Sequence, residues 1–147
     1  MAERTFTLDE AQQMLPLLEP LLDAAMRNKK QVQEIDTELQ ELSHRISVSG
    51  GMLLQISGWA ERCAQRDKAL LSVQETLGEL DALGVQVKDL DTGLLDFPCQ
   101  VGDSVILLCW KLGEKKIAHW HDTSEGFIGR KPIDDSIAHA GDPEKPN

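Results

Sequence analysis

Leu80-Asp81-Ala82-Leu83-Gly84-Val85-Gln86-Val87-Lys88 is where the chain changes its period. Up to Leu83 the apolar residues recur every three or four positions, and from Val85 they alternate with Gln86 and Lys88. The first spacing lays apolar side chains along one side of a helix, the second along one face of a strand. Gly84 stands at the change, where a helix commonly ends on a residue of positive φ. The chain before it therefore reads as helical and the chain after it as β-rich.

Working back from Leu80, the stripe continues through Leu77, Val73 and Leu70, breaks at Arg66, and resumes at Cys63, Trp59, Ile56 and Met52. Ser47-Val48-Ser49-Gly50-Gly51 is a turn by composition. A second stripe precedes it: Leu8, Ala11, Leu15, Leu18, Leu22, Ala25, then Val32, Ile35, Leu39, Leu42 and Ile46. Thr7-Leu8-Asp9-Glu10 fits a capping box, with Phe6 as the staple residue before it, so the helix should begin near Leu8. Pro16 and Pro20 each lack a backbone donor, which predicts a short first helix or a kink near Leu15. Two stripes joined by a short turn form an antiparallel hairpin, residues 7–46 and 52–83. The breaks at Lys29 and Arg66 are expected to face one another across a polar gap.

Forward of Gly84, Val85 to Leu90 reads as a strand. Asp89-Leu90-Asp91-Thr92-Gly93 looks at first like a calcium loop. Leu94 and Gln100 stand where such a loop needs glycine and glutamate, so it reads as a turn with Gly93 at positive φ. Leu94 to Phe97 is a short strand ended by Pro98, and Gly102-Asp103 is a turn. Ser104 to Leu112 is nearly all apolar, the pattern of a central strand buried on both faces. Gly113 to Lys116 is a hairpin turn, and Ile117 to His121 the returning strand. The fold class is α+β: a long antiparallel helical hairpin followed by a small antiparallel sheet. Residues 1–133 are expected to form a single domain with its candidate site in 85–133, and residues 134–147 a disordered tail.

Of 147 residues, 41% are hydrophobic, enough for a core, and the net charge is -10 with a pI near 4.8. Such a surface repels phosphate backbones and anionic membranes, so neither nucleic acid nor membrane is an expected partner. No apolar run approaches the ~20 residues that span a bilayer, and Met1 to Asp9 has no apolar core of signal-peptide length. Cys63, Cys99 and Cys109 have no CxxC spacing, and read as packed thiols in a reducing cytoplasm. The amphipathic hairpin suggests a homo-oligomer.

His119 and His121 flank Trp120. In a strand the two imidazoles share a face, about 7 Å apart, and can converge on one metal ion while Trp120 points into the core. Glu114, Asp122 and Glu125 lie close in sequence, and Asp96 joins them if its strand lies alongside. Histidine nitrogens with carboxylate oxygens suit Zn²⁺, with Fe²⁺, Mn²⁺ or Ni²⁺ as alternatives. Gly126-Phe127-Ile128-Gly129-Arg130 reads either as a lid, with Arg130 on an anionic ligand, or as a surface loop with Arg130 paired to an acid. The second reading is the better. Cys109 has no evident partner base, and His44 and His139 read as solvated. No phosphate loop, nucleophile elbow or HExxH motif is present.

Several ordered motifs carry a resemblance: Phe6-Thr7-Leu8-Asp9-Glu10-Ala11 with Leu15-Pro16, then Gly93 to Pro98, Cys109 to Glu114, Ile117 to His121 and Gly126 to Pro132. Together they resemble a family of small bacterial proteins of unknown function, domain-of-unknown-function family 2203, from about residue 5 to 133. Such proteins have been described as metal-binding. The resemblance implies a divalent metal at this end of the molecule and no particular reaction or small-molecule ligand. The best-matching motifs are Gly113-Glu114 and Trp120-His121.

The reading is thus a cytoplasmic metal-binding protein, with His121, His119, Glu114, Glu125 and Asp96 as candidate ligands. If one coordination position stayed open, a bound water could be activated there. The alternative is a non-catalytic interaction module working through its hairpin, with the His/Trp cluster structural.

Overall fold

The computed structural model describes residues 4–49 and 53–138. Helix α1 runs Leu8–Ser49 and α2 Leu53–Ala82. Five strands follow: β1 Gln86–Asp89, β2 Leu94–Val101, β3 Ser104–Lys111, β4 His119–Asp122 and β5 Lys131–Pro132. They form one antiparallel sheet in the order β1-β2-β3-β4-β5. Two helices and then an antiparallel sheet make the fold α+β. No described helix is long and apolar enough to cross a membrane.

The contacts divide the chain into two compact units, one built from the chain up to Leu22 and from Gly78 onward, the other from Asp23 to Leu77. In the first, the helix starts as its sequence directs. The Thr7 amide donates to Glu10 Oε1 at 2.8 Å, and the Glu10 amide to Thr7 Oγ1 at 3.0 Å. Phe6 does more than staple. It is buried edge-on against Phe97, with centroids 5.6 Å apart, and its amide donates to the Pro98 carbonyl at 2.6 Å. An aromatic pair of this kind adds ~0.5–1.5 kcal/mol beyond the area it buries.

Helix α1 is continuous through Pro16 and Pro20, so the chain does not form a separate short first helix there. Both prolines are exposed while Leu15, Leu18 and Leu22 are buried. Each proline costs ~3 kcal/mol in a helix interior. The buried stripe offsets that cost, and water reaches the side on which the prolines lie. Helix α2 ends in a Schellman motif, the Gly84 amide donating to the Asp81 carbonyl and the Val85 amide to the Leu80 carbonyl. Gly84 has φ 91°, and Leu80 and Val85, the apolar pair of that motif, are both buried.

Strand β2 continues through Pro98 to Val101 instead of ending there. The carbonyl of Pro98 faces Phe6, on the side where β1 has already ended, so its missing N–H deprives no partner strand. Gly93 has φ 74° and the Asp91 amide donates to Asp89 Oδ1, confirming a turn between β1 and β2. Of the expected tail, Asp135–Ala138 form one helical turn, α3, with Ile137 buried. Residues 139–147 lie outside the described residues, as do Gly50 and Gly51 of the expected turn; Ser47 to Ser49 extend α1.

In the second unit, Ala25, Val32 and Ile35 of α1 and Ala69 and Val73 of α2 are buried. Asn28 donates to Ser72 at 3.1 Å, Arg66 pairs with Asp36, and Arg62 forks onto Glu38 at 2.7 and 2.8 Å. These pairs fix an antiparallel register. They also correct the polar gap: Arg66 faces Asp36, two turns beyond Asn28, which itself bonds Ser72. A groove of about 450 Å³ lined by Asn28, Gln31, Gln65, Lys68, Ala69 and Ser72 follows this seam, and none of these residues is a histidine, a cysteine or an acid.

Candidate metal centre

The sheet register decides which side chains meet. Strand β3 pairs Cys109 with Asp96 on one side and with His119 on the other, and Leu107 with His121. Directly opposed residues share a face, and so do residues two apart along a strand. One face therefore carries Asp96, Cys109, His119 and His121 together with Leu107. The other carries Phe97, Leu108 and Trp110, all buried.

Asp96 and His121 reach over β3 from β2 and β4. His121 Nε2 lies 3.1 Å from both oxygens of Asp96, with hydrogen-bond geometry to Oδ1 alone. Asp96 is 0% exposed, Cys109 0% and His121 1%; among the described residues Asp96 and His121 are the buried polar or charged side chains. A ligand atom from each of Asp96, Cys109 and His121 lies within 4.8 Å of the other two. Donors around a tetrahedral Zn²⁺, at ~2.0–2.3 Å from the ion, stand roughly 3.3–3.8 Å apart, so the trio needs only small adjustment to take one.

The protons sharpen this geometry. His121 Nδ1 is 2.8 Å from the backbone carbonyl of Asp122, which can only accept, so Nδ1 carries a hydrogen. In the neutral ring Nε2 then presents a lone pair to a carboxylate. The contact is favourable only with one proton shared between Nε2 and Asp96, or with a cation held by both. Desolvation pushes the Asp96 carboxyl above its ordinary value, while the charge and hydrogen bond of His121 pull it back. Burial pushes the Cys109 thiol up to about 11; the charge of Asp96 adds to the rise and Arg130 opposes it. A carbonyl on Nδ1 orienting Nε2 is the arrangement that metal-bound histidines use.

The same geometry argues against a cysteine nucleophile. The thiol is sealed from solvent and protonated at neutral pH, and His121 Nε2 faces the carboxylate.

The other sequence candidates are placed differently. Glu114 is engaged with Arg130 at 2.8 and 3.2 Å, while its Oε1 accepts the Lys111 amide and its carbonyl accepts Trp110 Nε1. It holds the turn after β3. Glu125 pairs with Lys131 at 2.6 Å and accepts the Asp122 amide. His119 shares the face of the trio without belonging to the close group, and its Nδ1 is buried with no hydrogen bond. Trp120 is half-buried under Lys131 Nζ, which lies 4.7 Å from the ring; His121 is the deeply buried member of the motif, contrary to expectation. Arg130, paired with Glu114 and 4.2 Å above the Phe127 ring, anchors the loop in which Ile128 is fully exposed. Cys109 is the residue that sequence reasoning passed over as a packed thiol.

Residues 4–133 match the model of a family described as an uncharacterized conserved protein, DUF2203. No curated protein and no solved structure matches the chain. The match covers most of the chain, and the protein belongs to that family.

Proposed function

We propose that this member of DUF2203 is a metal-binding protein whose ion is held by Asp96, Cys109 and His121. The observation that carries the reading is the His121 ring, oriented by the Asp122 carbonyl on Nδ1 so that its Nε2 meets a buried carboxylate, a contact that a proton or a cation must hold. A carboxylate oxygen, a thiolate and an imidazole form a mixed donor set that favours Zn²⁺ over Mg²⁺ or Ca²⁺. Fe²⁺, Mn²⁺ and Ni²⁺ are the weaker alternatives. The free thiol that this needs suits the reducing cytoplasm.

Glu114 and Glu125 support the site from outside, as partners of Arg130 and Lys131. The reading assigns binding and no reaction. Its test is elemental analysis of protein prepared without a histidine tag, beside Cys109→Ser and His121→Gln variants whose circular dichroism matches the parent. One equivalent of metal in the parent and its loss from both variants is the expected result. Metal well below one equivalent in the parent after reconstitution with Zn²⁺, or retained in folded variants, would refute the assignment.

A further inference from the structure

The trio supplies three donors, and a four-coordinate ion needs a fourth. Water is the usual fourth ligand of a catalytic zinc, but Asp96, Cys109 and His121 are 0–1% exposed, so burial favours a protein ligand in that position. Among the described residues two buried side-chain polar atoms lack a hydrogen bond: Asp96 Oδ2, already within the trio, and His119 Nδ1. An unpaired buried polar atom costs about 1–3 kcal/mol, so each calls for a partner. His119 stands directly opposite Cys109 on β4 and two residues from His121, which places it on the face of the trio.

We infer that His119 is the fourth ligand, closing the centre as an Asp96–Cys109–His119–His121 shell with no open position. The inference rests on the metal-binding reading and deepens it: the centre becomes a structural or storage site, and water activation is excluded. Charge supports the closure. One carboxylate, one thiolate and two neutral imidazoles offset a divalent ion, leaving a neutral centre that can be buried at little electrostatic cost.

Cobalt(II) is the probe, because its visible bands report coordination number and its near-ultraviolet charge-transfer band reports a bound thiolate. The wild-type protein with one equivalent of Co²⁺ should show both the thiolate band and strong tetrahedral visible bands, unmoved by azide. In His119→Ala the thiolate band should persist at saturation, the visible bands should weaken and respond to azide, and imidazole should restore them. Loss of an outer-shell partner already lowers metal affinity ~10–100-fold, so loss of this ligand should lower it by at least about 100-fold. His119→Gln provides a second variant if alanine unfolds the edge of the sheet, and the azide arm needs no variant. An azide-sensitive wild-type spectrum, or wild-type spectrum and affinity in the folded variants, would overturn the fourth ligand and leave the trio standing. A wild-type spectrum without the thiolate band would overturn both.

Discussion

Metal binding at this centre should expel protons, and their number can be worked out from the geometry. Cys109, with its thiol pushed up to about 11, is a thiolate in only about one molecule in 10⁴ at pH 7. Displacing its proton costs about 5 kcal/mol of the binding energy, at ~1.4 kcal/mol per unit. Where the contact between His121 Nε2 and Asp96 is held by a proton, an ion held by both groups replaces that proton as well. The metal binds the deprotonated forms, so affinity rises with pH and is lost as pH falls. With the Cys109 proton released, Zn²⁺ affinity should rise by about one decade per pH unit near neutrality, and by about two if a proton between Nε2 and Asp96 leaves with it. Calorimetric titration of Zn²⁺ in buffers of different ionisation enthalpy counts the protons directly, and chelator competition between pH 6.5 and 8 gives the slope. Cys109→Ala should bind more weakly and release one proton fewer. A wild-type slope near zero, or an unchanged count in Cys109→Ala, would refute the release of a proton from Cys109.

Glu114 and Gly84 provide two stability tests in unliganded protein. Burial alone would raise the Glu114 carboxyl, but the hydrogen bonds from Arg130 and the Lys111 amide outweigh it and hold it below the ordinary value of 4.5. Its contribution is therefore present above pH 4.5 and disappears as pH falls through the lowered value. Glu114→Ala should lower stability by about 1.5–3 kcal/mol in urea denaturation at pH 7, with the difference from wild type shrinking in acid; an equal loss at both ends would mean that packing and not charge holds the turn. Gly84→Ala places a Cβ at φ 91° and 3.1 Å from Arg4 Cβ, and should cost about 1–2 kcal/mol by thermal denaturation, whereas a neutral effect would show that the helix end relaxes freely.

The architecture was legible because its signals are local. A capping box, a C-terminal glycine and a change of period each act within a few residues, and Thr7, Gly84 and Val85 do in the fold what their sequence implies. The prolines do not end the helix because tertiary burial of Leu15, Leu18 and Leu22 outweighs a local penalty. The site was half legible. A two-residue turn at Gly102-Asp103 pairs Val101 with Ser104, and counting outward sets Asp96 opposite Cys109, as observed. The other half depends on the longer connection from Lys111 to His119. A four-residue turn at Gly113 to Lys116 would pair Leu112 with Ile117 and put His121 opposite Leu108. The observed register puts it opposite Leu107, one residue away. A slip of one residue moves a side chain to the other face of a sheet, so the nominal turn sends His121 away from the site it occupies.

That register also explains why the polar trio is confined to one face. Phe97, Leu108 and Trp110 fill the opposite face of the same strands with apolar volume. Asp96, Cys109 and His121 stand in strands able to bury leucine or valine, and a buried ion pair is generally no more stabilising than apolar residues of similar size. Stability alone therefore gives no reason for a carboxylate and an imidazole at the centre of this sheet. A ligand that takes charge from both does. With a divalent ion among them the carboxylate and thiolate are neutralised, the Nε2 lone pair is satisfied, and the unpaired atoms of Asp96 and His119 acquire a partner. The groups that burial makes costly in the free protein are the ones that binding would turn into a neutral, fully bonded centre.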